Sequence, residues 1–121
     1  MASFALAVFA LCGAAAVVLV RGHLLGRLYN DVVLDNYDHF LPCERLPTST
    51  EVYRIAEERE DVLKAIKDVN AGHIFVEIDD HTCPGRADII ISYATHGDRL
   101  AIEEILSGHT FLGVPCRLRN I

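Results

Sequence analysis

Nineteen consecutive residues, Ala2 to Val20, carry no charge and only one weakly polar side chain, Ser3, and the run stops at Arg21. A helix of that length, rising ~1.5 Å per residue, just crosses the ~30 Å hydrocarbon core of a bilayer. A transmembrane anchor over residues 1–20 is therefore expected, with membrane lipid as its partner. The competing reading is a cleaved secretory leader, to which Ala14, Ala15 and Ala16 lend a small-residue cleavage site. No Lys or Arg precedes Arg21, however, and the apolar run is long for a leader. Leu11 stands where a lipoprotein signal needs a small residue before Cys12. Ala7, Ala10, Gly13 and Ala14 share one helix face, a composition that membrane helices show generally. Arg21 and Arg27 both follow the run, and the positive-inside bias then favours a cytoplasmic location for what comes after.

Residues 21–37 form a juxtamembrane linker. Leu24, Leu25, Leu28, Val32 and Val33 recur at helical spacing, which predicts a continuation of the anchor or an interfacial helix ending near Asp35 to Tyr37. The remaining residues, 38–121, are enough for one small domain with a single core. The chain has a net charge of −6 and a pI near 5.4. Nucleic acid and anionic lipid headgroups are poor partners for such a surface.

Within 38–121 the pattern alternates between strand and helix. Phe40 to Leu46 reads as a short first strand, with Pro42 discordant. Thr48 to Glu51 is a capping box, and Val52, Ile55, Ala56, Val62, Leu63, Ile66 and Val69 make one apolar stripe up to Asn70, Ala71 and Gly72. His73 to Asp79 alternates as a strand, Pro84 and Gly85 signal a turn, and Ala87 to Tyr93 is a second strand whose Ile89, Ile90 and Ile91 suggest burial on both faces. Thr95 with Asp98 starts a second helix, closed by Ser107 and Gly108. Phe111 to Leu118 is the last strand, where Pro115 suits a sheet edge. The order β-α-β-β-α-β predicts an α+β, ferredoxin-like domain with an antiparallel sheet.

This plan serves many activities, so function rests on particular residues. Asp79, Asp80, His81 and Cys83 crowd the hairpin tip with donors that suit zinc, the one cofactor the residue types suggest. Against this, a solvated turn with Asp side chains capping local N–H groups uses the same residues. Arg45, the helix start at Thr48 and Ser49, and Arg86 should share one end of the sheet and offer an anion-binding or phosphate-ester-handling site. No Asn stands on the third strand as an acylphosphatase requires, no C-x-x-C motif as a metallochaperone requires, and no nucleophile–base order, P-loop or dinucleotide fingerprint is present. In the predicted topology Cys43 and Cys116 lie on neighbouring strands and form a possible disulfide, with reduced thiols expected on the cytoplasmic side. The reading that remains is a single-pass membrane-anchored interaction module, an accessory or scaffold subunit whose partners are other membrane-complex subunits.

Overall fold

The computed structural model describes residues 24–106 and 108–121. The anchor expected over 1–20 lies outside them, and among the described residues no helix is long and apolar enough to cross a membrane. The chain divides into two compact units at the Leu34–Asp35 junction.

The first unit is helical where described. Residues 24–28 are α-helical and Tyr29–Val33 form a π turn, closed by the Leu34 N–H donating to the Tyr29 carbonyl at 3.1 Å. The helix predicted within 21–37 thus ends at Leu34. Asp35 follows at φ 55°, a left-handed conformation that Asp tolerates better than most residues.

The second unit is α+β. Helix α1 spans Ser49–Glu58 and α2 spans Glu60–Asp68. The Thr48 hydroxyl accepts from the Glu51 N–H at 3.3 Å, as the capping box requires. One helix was expected here, and the chain makes two. Position 59 falls three and four residues after Ala56 and Ile55, on the buried face, yet it is Arg. The backbone breaks there at φ −124° and ψ 45°, which turns the guanidinium outward to Asp61 and lets Val62, Leu63 and Ile66 return to the core.

Strands β1 (Phe75–Asp79) and β2 (Asp88–Tyr93) pair antiparallel from Phe75↔Ser92 to Asp79↔Asp88. Helix α3 (His96–Ile105) follows, with the Thr95 hydroxyl capping the Asp98 N–H at 3.1 Å. Strand β3 (Thr110–Phe111) and β4 (Val114–Asn120) form a tight hairpin. Its turn residues Leu112 and Gly113 have φ of 50° and 91°, the primed-turn geometry that suits hairpin twist.

The sheet order is β1-β2-β4-β3, and β2 and β4 run parallel from Ile89↔Cys116 to Tyr93↔Asn120. The antiparallel ferredoxin-like sheet is therefore corrected to a mixed one. The cause lies in residues 40–46. Pro42 cannot donate to a ladder, and Cys43–Arg45 close a 3-10 turn in place of the expected first strand. The place beside β2 that this strand should hold is taken by β4. β4 lies inside the sheet rather than at the edge expected for Pro115, which sits opposite Thr110 in the β3–β4 hairpin one residue ahead of the parallel ladder, so its missing N–H costs that ladder no bond.

One face of this sheet packs against the helices. Ile89, Ile91 and Tyr93 of β2 and Cys116 and Leu118 of β4 join Val52, Ile66 and Ile102 in the core. Ile90 is also buried, on the opposite face, as the isoleucine run predicts. Before α1, Tyr37 exchanges both backbone hydrogen bonds with Leu118, each 2.9 Å. Residues 35–42 thus form a strap alongside β4.

Candidate functional site

The strap and the hairpin tip enclose a cleft of about 360 Å³, lined by Asp38 to Pro42, Leu46, Asp79, Thr82, Cys83, Asp88 and Arg117. Asp79 and Asp88 face each other across the β1–β2 register, and Arg117 reaches both from β4. Its Nη2 donates to Asp79 Oδ2 at 2.5 Å and to Asp88 Oδ1 at 2.8 Å, while Nε donates to Asp88 Oδ2 at 2.6 Å. Two nearly buried carboxylates thus share one guanidinium in the forked geometry that only Arg provides.

Asp79 is engaged at every lone pair. Oδ1 accepts from the backbone N–H groups of His81 (3.0 Å) and Thr82 (3.1 Å), and Oδ2 accepts from the Thr82 hydroxyl at 2.7 Å. The Thr82 hydroxyl, against burial and joined by the Thr82 amide, Arg117 and the His81 amide, holds the Asp79 carboxyl well below the usual range. The bonds to Asp88 and then to Asp79 push the Arg117 guanidinium further up, against burial.

His39 completes the network from the strap. The Leu41 N–H donates to His39 Nδ1 at 2.9 Å, so that nitrogen carries no proton. Nε2 therefore holds the ring proton and donates it to Asp88 Oδ2 at 2.7 Å. Both ring nitrogens of His39 are thus engaged, one with the strap's own backbone and one with the sheet. The Thr82 hydroxyl is committed to Asp79, which Arg117 also holds.

Cys43 and Cys83 form a disulfide, with Cα atoms 5.5 Å apart. Both the possible Cys43–Cys116 bridge and the reduced thiol expected at Cys43 are corrected by this pairing. That bridge depended on Cys43 lying in a strand beside β4, and that strand does not form. Cys116 is a free thiol sealed in the core, and burial pushes it up to about 12.

Of the proposed zinc donors only His81 and Asp80 lie together, His81 Nε2 being 3.4 Å from Asp80 Oδ1. Asp79 turns inward to Thr82 and Arg117, Cys83 is in the disulfide, His81 is 90% exposed, and Asp80 accepts from the Tyr53 hydroxyl at 3.0 Å. Among the described residues no group of three or more His, Cys, Asp or Glu is placed to hold a metal.

The predicted anion-binding residues come partly together. Thr48 and Arg86 form a backbone bridge, and the Ser49 N–H donates to the Gly85 carbonyl at 3.1 Å. That bond commits an amide an anion would need. The Arg86 guanidinium donates to the Leu46 carbonyl at 2.8 Å, and Arg45 remains exposed on the 3-10 turn.

A second polar cluster closes the other end of the strap. Asp35 accepts from Arg99 at 2.9 Å and lies 2.8 Å from His96 Nδ1, and the Tyr93 hydroxyl donates to its carbonyl. Burial opposes the charged carboxylate, but the bonds to His96 and Arg99 outweigh it and hold Asp35 below its ordinary value. Arg99 also donates to Glu103 at 2.7 Å, and Glu103 meets His109, whose ring stacks on Tyr37.

Sequence reasoning missed His39, Asp88, Arg117, Asp35 and Arg99 as a set. The signal was present in Asp88 and Arg117, charged residues interrupting otherwise apolar strands. Comparison with protein-family models, curated proteins and solved structures gave no match.

Proposed function

We propose that this chain is a membrane-tethered interaction module, an accessory or scaffold subunit of a membrane complex, whose folded domain faces an oxidising compartment. The observation that carries the reading is the Cys43–Cys83 disulfide in a domain that follows a charge-free run of membrane-spanning length. Such bridges persist outside the reducing cytoplasm. This weighs against the cytoplasmic location favoured by Arg21 and Arg27, a bias of only two side chains. A retained anchor delivers the domain to that side when its N-terminus stays in the cytoplasm.

In this reading the cleft's polar network is what holds the strap in place. Its carboxylates, guanidinium and imidazole are satisfied by one another, which fixes the strap's shape.

Alkylating the protein in its native membranes before any reduction, followed by mass spectrometry, tests the compartment. A cross-linked Cys43–Cys83 peptide is expected, and alkylated thiols at both positions would exclude the oxidising side. Purification in mild detergent tests the role: defined companion subunits are expected, and a chain that elutes alone from native membranes contradicts an accessory function.

A further inference from the structure

The helical segment 24–33 exposes an unusual amount of apolar surface. Leu24, Leu25, Leu28, Tyr29, Val32 and Val33 are each between 49% and 72% exposed. Arg27, Asn30 and Asp31 occupy the other side. In a regular α-helix, advancing ~100° per residue, Val33 would sit half a turn away from Leu24. The π turn changes this. Its wider i→i+5 bonding, seen in the Leu34 N–H to Tyr29 carbonyl bond of 3.1 Å, advances each residue by less. Val32 then stands over Leu28 and Val33 over Tyr29, which gathers the six apolar side chains into one narrower face.

We propose that this face is a lipid-contact surface, and that residues 24–33 lie along the headgroup boundary of the membrane as an interfacial helix. The inference rests on the membrane tether proposed above and extends it. In the tether proposed above, a helix over the apolar run 2–20, at ~1.5 Å per residue, would use up the ~30 Å hydrocarbon core and put the segment after Arg21 at its surface. An amphipathic helix held there buries its apolar side at the acyl boundary while its polar side meets water and headgroups. Tyr29 is a residue type favoured at that level. Continuity with the apolar run selects lipid over a second copy of this helix as the occupant.

The sequence contains no Trp, so Val32→Trp makes a single fluorescent reporter. The full-length variant is reconstituted in phosphatidylcholine vesicles, with Asn30→Trp as the opposite-face control and Val33→Trp as a second apolar reporter. Vesicle flotation reads the tether independently. For floating protein, Val32→Trp and Val33→Trp should emit at short wavelength and be quenched at least twofold more by lipid brominated near the headgroup than near the chain end, with Asn30→Trp little affected. Floating protein with water-like, unquenched emission at positions 32 and 33 overturns the interfacial helix and leaves the tether intact. Short-wavelength emission that no brominated lipid quenches assigns the face to a second copy and also overturns the proposal. Protein that does not float overturns both.

Discussion

The ring proton of His39 points at Asp88, 49 residues further along the chain and 2.7 Å away, and that bond fastens the strap to the sheet. Around it, Arg117 neutralises one of two carboxylates that would otherwise be uncompensated. The cleft is built on opposed charges, and most of its expected behaviour follows from breaking them singly.

Arg117→Met removes the guanidinium and leaves Asp79 and Asp88 nearly buried beside each other. Breaking a buried pair from one side costs about 3–5 kcal/mol. Urea denaturation of the detergent-solubilised chain should show a loss of that size, with Arg117→Lys intermediate, because an ammonium cannot reproduce the fork. A loss under 1 kcal/mol (about the value of an exposed pair) would mean that the pairing is not formed in solution.

Acid should loosen the same region. The folded pKa of Asp79 lies below its unfolded value of ~3.9, so its contribution is full above that pH and falls away as pH drops toward the folded value. Asp35 acts in the same direction. Stability measured from pH 6 to 2 should decline below about pH 4, and Asp79→Asn, less stable at neutral pH, should decline less steeply. Parallel acid limbs in the two proteins would remove Asp79 from the account.

Cys43→Ser opens a loop spanning 40 residues, for which chain entropy gives a loss of about 4 kcal/mol. Reducing agent should lower the wild-type melting temperature and leave the variant unchanged. Cys116, a buried thiol raised to about 12, should resist iodoacetamide until the domain unfolds. Rapid native labelling at Cys116 would contradict its place in the core.

Ile91 is fully buried in β2, and Ile91→Asp should prevent folding by burying an unpaired charge. Glu58→Ala, which removes only an exposed pair with Arg54, should change stability by about 0.5 kcal/mol or less. Equal melting temperatures for the two variants would refute the strand assignment.

The local chemistry of the fold was legible in the sequence. Both capping boxes, the β1–β2 hairpin and the isoleucine strand stand where their residues place them, because caps and periodicity act over a few positions. The pairing of strands was not legible. Whether 40–46 extends or coils depends on Pro42 and on the competing offer from β4, a contest decided across 70 residues of chain. The cysteine partner was lost with that strand. Asp88 and Arg117 were visible as charges in apolar strands, but their meeting needed the parallel register that the antiparallel plan denied. Arg59 on the apolar stripe was the one mark of the helix break.

The reciprocal bonds between Tyr37 and Leu118 also set a load path. A pull applied through Leu34 reaches the domain two residues before it is zipped to β4, a strand flanked on both sides, and Asn36 adds a 2.8 Å hold on the Asn120 N–H. A pull arriving at Asp35 would therefore meet β4, an interior strand, before it reached residues 38–48. The first and last stretches of the second unit meet there, Asn120 Nδ2 donating to Asp35 Oδ2 at 3.3 Å, so the strap begins where β4 finishes.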